Sequence, residues 1–281
     1  MNTIDRYRTF AFVDRITEIE PGRRARGCFT VPATLHEFPA CLVAEAIGQL
    51  AAWLAMAFDD FRHRPVAALA GEARVLGVAA PGHVIHLTVD ADCCDRDRVA
   101  YSGRAQMRDA PLLELRRCLG AMLPLAEFDD PEAVRAHFAT LTGPGAQPGG
   151  FPGCPPPHLE TIAHTAGTRL RAVLHVPTDA PFFADHFPRR PVFPATLLLD
   201  AQIRLALDLA AEALAAPVAT LLPSRITGLK QRAFIAPGQR VEIDVEQRAA
   251  LTDGVTFSLR SAVDGKRTSS ASVEIVRRAD A

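Results

Sequence analysis

Two long apolar runs dominate the chain. CLVAEAIGQLAAWLAMAF occupies 41–58 and TLLLDAQIRLALDLAAEAL occupies 196–214. Each is apolar on nearly every side, which predicts a helix buried all round rather than an amphipathic surface helix. Each holds one carboxylate at the same depth, Glu45 and Asp200, and each follows a proline, Pro39 and Pro194. Proline suits a first helical turn because its φ is already helical and its missing N–H is not needed there. Elsewhere the apolar residues alternate with polar ones, the period of a strand with one buried face. AAPGHVIHLTVDAD (79–92) and IAPGQRVEIDVEQR (235–248) share an APG turn that leads into such a strand. Glu45 and Asp200 are 155 positions apart, and Pro81 and Pro237 are 156 apart. Two unrelated features at one offset predict an internal duplication.

In the second half the pattern predicts strands at 169–176, 225–236, 240–247, 255–263 and 269–278, with the apolar helix after the first. The first half repeats this order, with strands in 9–20 and 25–31, the helix, and three or four strands to about 124. One helix among many antiparallel strands is α+β rather than alternating βαβ. The pattern fits two repeats, each an antiparallel sheet wrapped around a long central helix. The expected domains are 1–125 and 159–281. Between them, 126–158 breaks the pattern: GPGAQPGGFPGCPPP (143–157) is too rich in Pro and Gly for a regular element, so a semi-rigid linker is expected. A short helix is predicted at 131–141.

Composition narrows the function. Of 281 residues, 48% are hydrophobic and 22% charged, enough apolar material for a core, and the net charge is −1. A disordered chain and a basic nucleic-acid binder are thereby disfavoured. By this reading no apolar run reaches the ~18 residues of a membrane span. The N-terminal residues lack the cationic-then-apolar layout of a secretory signal, so a cytoplasmic location is expected. The six cysteines form no CxxC pair, and there is no GxGxxG or P-loop, so neither a disulfide framework, a metal nor a nucleotide is implied.

The chemistry concentrates in PFFADHFPRRPVFPATLLLDAQ (181–202), which places His186 in a proline-rich loop 14 residues before Asp200. A carboxylate in an apolar helix is costly unless paired or functional. Burial raises its pKa and suits it to act as an acid, and a histidine held in a rigid loop is a complementary base. The other histidines that the sequence leaves unassigned, such as His36, His83 and His175, read as ordinary surface or strand residues.

HFPRRPVFPATLLLDAQ resembles the signature of the hot-dog fold 3-hydroxyacyl-[acyl carrier protein] dehydratases, which runs HFPG, PV-x-PG, then an acid on the central helix. FAFVDRITEIEPGRRARG (10–27) and AEAIGQLAAW (44–53) resemble the same family's opening and helix motif, so the resemblance spans nearly the whole chain outside the linker. It implies a double hot-dog with a site shared between halves: His186 of the second half facing Glu45 of the first. His186 would take the C2 proton of a 3-hydroxyacyl thioester and Glu45 would protonate the leaving hydroxyl. Gln49 would hold Glu45, the Ala195 N–H would polarise the thioester carbonyl, and the helix wall would line an acyl tunnel. No cofactor is implied, since the substrate rides on the phosphopantetheine of acyl carrier protein or coenzyme A. Acyl carrier protein is the expected partner, along with a possible homodimer or a partner dehydratase or ketosynthase, in fatty-acid-like, polyketide or polyene synthesis.

The second site departs from the family pattern. Asp200 holds the acid position, but Arg204 stands where the family has glutamine, and His36 lies only nine residues before Glu45. A vestigial site is expected there. Arg189 and Ala195 replace family glycines, and Arg189 with Arg190 are candidate contacts for the carrier or its phosphopantetheine. The rival readings are a thioesterase on the same fold and a non-catalytic acyl-binding partner of another dehydratase.

Overall fold

A computed structural model describes residues 6–278. The first half contains strands β1 (Arg15–Glu20) and β2 (Arg24–Thr30), helix α1 (Ala40–Phe58), then β3 (His63–Val75), β4 (Val84–Cys94), β5 (Arg98–Met107) and β6 (Ala110–Pro124). Helix α2 (Pro131–Thr142) follows. The second half contains β7 (His158–Thr165), β8 (Arg169–His175), helix α3 (Ala195–Leu214), β9 (Leu221–Gln231), β10 (Arg240–Leu251), β11 (Gly254–Val263) and β12 (Lys266–Arg277).

All twelve strands join one antiparallel sheet, in the order β1-β2-β4-β5-β6-β3-β9-β12-β11-β10-β8-β7. From the β3–β9 seam outward the two halves present their strands in the same sequence, so the duplication read from the spacing is a pseudo-twofold arrangement in space. At the seam Leu69 pairs with Lys230 and Arg74 with Arg225. The alternating residues behave as their period requires. Ile85, Leu87 and Val89 of β4 and Val241, Ile243 and Val245 of β10 are buried. The matching APG turns both place their glycine, Gly82 and Gly238, at φ +78, a conformation that a side chain would strain. Each half-sheet wraps one apolar helix, the hot-dog arrangement. Contact with α1 is close enough that a Cβ on Gly103 of β5 would lie 2.4 Å from Ile47.

The structure corrects three expectations. Helix α1 has 19 residues and is long and apolar enough to cross a membrane by length and composition, so the chain does contain such a run. Here the helix is mostly buried inside the sheet, which demands apolar residues on every side of it. Residues 9–14 form no strand, and β1 begins at Arg15. An edge strand, β7, was not anticipated. Most of its residues are exposed, so its sequence carries no buried alternation.

Residues 131–151 pack onto the first half, with the Phe138 ring 6.0 Å from that of Trp53. Asp130 caps α2 by accepting from the Glu132 N–H at 3.1 Å, and Pro131 occupies the first turn. Farther on, Phe151 is 3% exposed, with its ring 4.9 Å from that of Phe12.

Asp14 gives the fold a measurable pH signature. It is 7% exposed and accepts from the Thr30 N–H at 2.6 Å. Burial pushes its pKa up to about 6. The folded state therefore favours the protonated form, and this stability is lost as pH rises from the unfolded value through the folded one. Asp14→Asn should raise stability by on the order of 1–3 kcal/mol at pH 7.5. By thermal unfolding at pH 4 the two proteins should coincide. A gap independent of pH would disprove the assignment.

Candidate active site

His186 lies in the long loop between β8 and α3. A 3-10 turn at Pro181–Ala184 anchors that loop by burying Phe182 and Phe183, and the His186 N–H donates to the Phe182 carbonyl at 2.9 Å. The imidazole Nδ1 lies 2.8 Å from the Val192 carbonyl. A carbonyl can only accept, so Nδ1 carries the proton, and in the neutral ring Nε2 holds the free lone pair. The Phe187 ring stacks on the imidazole at 4.3 Å, and Phe10 meets it edge-on at 5.5 Å. Burial pulls the imidazole pKa below its ordinary value and the Arg64 cation adds to this, while the Glu45 charge opposes them.

The loop is tied to the first half by its neighbour Asp185. That carboxylate accepts from the N–H groups of Tyr7 (2.5 Å), Thr9 (2.8 Å) and Phe10 (2.9 Å), and from the Thr9 hydroxyl (2.8 Å). The segment before β1 is thereby held across the second-half loop.

Glu45 lies in the second turn of α1. One of its oxygens accepts from the Thr196 hydroxyl at 2.9 Å, across the two halves. The other accepts from Gln49 Nε2 at 3.1 Å. Gln49 also donates to the Phe10 carbonyl at 2.9 Å and accepts from the Phe12 N–H at 2.8 Å, so its amide is fixed at both ends. His186, Glu45, Gln49, Ala195 and Thr196 line one cavity of about 250 Å³, whose remaining wall is largely apolar. Ala195 is the first residue of α3, where the helix presents its positive end.

Asp200 lies outside this cavity. Arg204 Nε donates to it at 2.8 Å, and the same guanidinium reaches Glu37 of the first-half loop at 2.5 Å. His36 is exposed, so the shorter first-half loop brings a carboxylate, not an imidazole, to the second position. Burial pushes the Asp200 pKa up, against the pull of Arg204.

Arg189 and Arg190 brace the loop. Arg189 donates to the Ala126 carbonyl at 3.0 Å, and Arg190 packs over the rings of Phe234 (4.8 Å) and Phe128 (5.6 Å). Arg190 lies 3.7 Å from Glu127 and Arg189 lies 4.0 Å from Asp130. Both remain exposed.

The sequence reading missed Tyr7, Arg64, Asp129, Asp185 and Thr196, which all line the cavity. Adjacency to His186 and Ala195 could have flagged Asp185 and Thr196. Among the described residues no group of three or more His, Cys, Asp or Glu is disposed to hold a metal ion.

Comparison with known proteins places the fold in a family. Residues 163–272 match the family model of the ApeI dehydratase. The 3-hydroxyacyl-[acyl-carrier-protein] dehydratase FabZ of Vibrio parahaemolyticus is 33% identical over 111 residues, covering 39% of this chain and 74% of the relative. The chain belongs to this dehydratase family. FabZ of Shewanella baltica is 29% identical over 121 residues, covering 42% of this chain and 79% of the relative. Two solved structures share the whole double fold. The tesB protein of Mycobacterium avium subs paratuberculosis gives a TM-score of 0.58 at 12% identity, covering 94% of this chain and 95% of that one. An acyl-ACP thioesterase from Bacteroides thetaiotaomicron gives 0.53 at 10% identity, covering 90% and 97%. Hence this family member has two hot-dog units in one chain.

The Gln49 clamp should be structural as well as local. Gln49→Leu leaves the Phe12 N–H and Phe10 carbonyl without partners, and urea unfolding should show a loss of about 1–3 kcal/mol. A loss below a few tenths of that would show that the clamp holds nothing.

Proposed function

We propose that the chain catalyses the reversible removal of water from a 3-hydroxyacyl thioester to give a 2-enoyl thioester. One observation carries this reading: His186, with a free Nε2 lone pair, and Glu45, from the opposite half, share one largely apolar cavity. The FabZ relatives support it by their named activity.

In this reading Nε2 of His186 takes the C2 proton. Glu45, as the carboxylic acid, gives its proton to the C3 hydroxyl as the C3–O bond breaks, and water leaves. The C2–H electron pair becomes the C2–C3 double bond. Proton transfer from imidazolium to carboxylate, through solvent, restores the starting state. Thr196 and Gln49 aim the carboxyl. The positive end of α3 at Ala195 stabilises the charge that develops on the thioester oxygen. Atoms and electrons balance without a cofactor. The proposed substrate is carried on acyl carrier protein, with coenzyme A as the alternative carrier, and the proposed location is the cytoplasm. Arg189 and Arg190 are proposed to meet the acidic carrier at the loop they brace.

Mass spectrometry of a 3-hydroxyacyl carrier protein should show loss of one water with the native chain. His186→Ala and Glu45→Ala should each slow it by about 10²–10⁴-fold, while Asp200→Asn should stay within about threefold, as its side chain lies outside the cavity. Release of the free carrier thiol without dehydration would replace this reading by thioester hydrolysis.

The base must be neutral, and its folded pKa is lowered by burial. The acid limb of the kcat/KM profile should therefore lie below the ordinary histidine value of about 6.5. A limb at or above that value would contradict His186 as the base.

A further inference from the structure

Arg64, the second residue of β3, reaches into the same cavity. Its guanidinium carbon lies 4.0 Å from the centre of the Phe187 ring, on which the His186 imidazole also stacks, at 4.3 Å. Cation and imidazole are therefore no farther apart than those two distances together. The carboxylates that feel the Arg64 charge are engaged elsewhere: Asp129 by Arg6, and Glu45 by Thr196 and Gln49. Among the described residues Arg64 Nε is buried and has no hydrogen-bond partner. Burial lowers its pKa to about 10, so at neutral pH it remains a cation.

A guanidinium carries five N–H donors and no acceptor. Phe187 supplies attraction on a ring face but satisfies none of these donors. Leaving a charged donor buried without a partner costs more than the ~1–3 kcal/mol of a neutral one. A saturated acyl chain sliding past would not relieve that cost, whereas a carbonyl oxygen would. A 3-hydroxyacyl thioester with its C2 at His186 brings two carbonyl oxygens within the permitted distance: its own, and the first amide of the thiol arm.

We propose that Arg64 is a substrate-binding cation of this cavity, donating to a carbonyl oxygen of the acyl thioester or of the first amide in its thiol arm. This takes the substrate's chemistry from the dehydratase reading but does not depend on turnover.

The test uses the full chain and two ligands. The butanoyl thioester of N-acetylcysteamine keeps the first amide and cannot be hydrated, and the butanoyl S-butyl thioester lacks that amide. Trp53, the single tryptophan, lines the cavity, so quenching of its fluorescence reports binding without turnover. Arg64→Met, which keeps the stem, should weaken binding of the N-acetylcysteamine ester by about tenfold or more, the loss of a charge-assisted hydrogen bond. Arg64→Lys should recover part of it, since the charge remains but the planar fork is gone. A matching loss with the S-butyl ester assigns the thioester carbonyl, and a loss confined to the N-acetylcysteamine ester assigns the amide. Without ligand, Arg64→Met should melt no lower than the native chain. Binding of both esters by Arg64→Met within about threefold of native, or a lower melting temperature without ligand, overturns the proposal in favour of a packing role. Dehydration with no Arg64 effect sinks this inference alone, and an Arg64 effect on binding with no dehydration sinks the dehydratase reading alone.

Discussion

Backbone pairing of β3 with β9 joins two half-sheets that could not build this site separately. Each half wraps its own apolar helix, but the cavity is lined from both sides of the seam, by β3 and α1 of one half and by the His186 loop, α3 and β9 of the other. The seam sets where His186 stands relative to Glu45. Two hydrogen-bond sets then fix the side chains across it, Asp185 to the segment at Tyr7–Phe10 and Thr196 to Glu45. In a single chain this geometry does not depend on protein concentration, as it would for a site shared between separate subunits.

The same pseudo-symmetry makes the second position informative. Glu45 and Asp200 occupy the sixth residue of their helices, each with a polar partner four residues on. Gln49 is neutral: it orients Glu45 without placing a charge beside the carboxyl. Arg204 is a cation: it favours the Asp200 carboxylate and holds it in an ion pair that extends to Glu37. The loops reinforce the difference. The second-half loop has room for a 3-10 turn and places an imidazole, while the shorter first-half loop leaves His36 in solvent. One exchange of residue type and one loop length separate a cavity shared by Glu45 and His186 from a salt bridge.

Much of this was legible in the residue pattern, because burial imposes periods. The two apolar runs became α1 and α3, and the APG repeats became matching turns and strands. His186, Glu45, Gln49 and Ala195 could be gathered through the family motif, and the structure places all four on one cavity. What escaped has a physical cause in each case. Strand β7 is held by backbone pairing to β8 while most of its residues face solvent, so it shows no alternation. Arg64 sits at the start of a strand like any surface arginine. Only the fold turns it inward, onto an aromatic ring contributed from 123 positions away in sequence.

The segment before β1 shows why pattern alone misled. TFAFVD alternates as a strand should, yet its backbone donors are spent on the site. The N–H groups of Thr9 and Phe10 go to Asp185 and that of Phe12 goes to Gln49. A ladder needs those groups for a neighbouring strand. Side-chain acceptors at the candidate site take them instead, so an apparent strand becomes an irregular strap over the cavity. Its rings still use the alternation, with Phe10 beside His186 and Phe12 against Phe29, Phe38 and Phe151. Residues 126–130 complete the enclosure from the other side, where Phe128 packs on Phe187 and Asp129 pairs with Arg6. His186 and Glu45 thus lie within three separate stretches of chain, only one of which is the motif that announced the site.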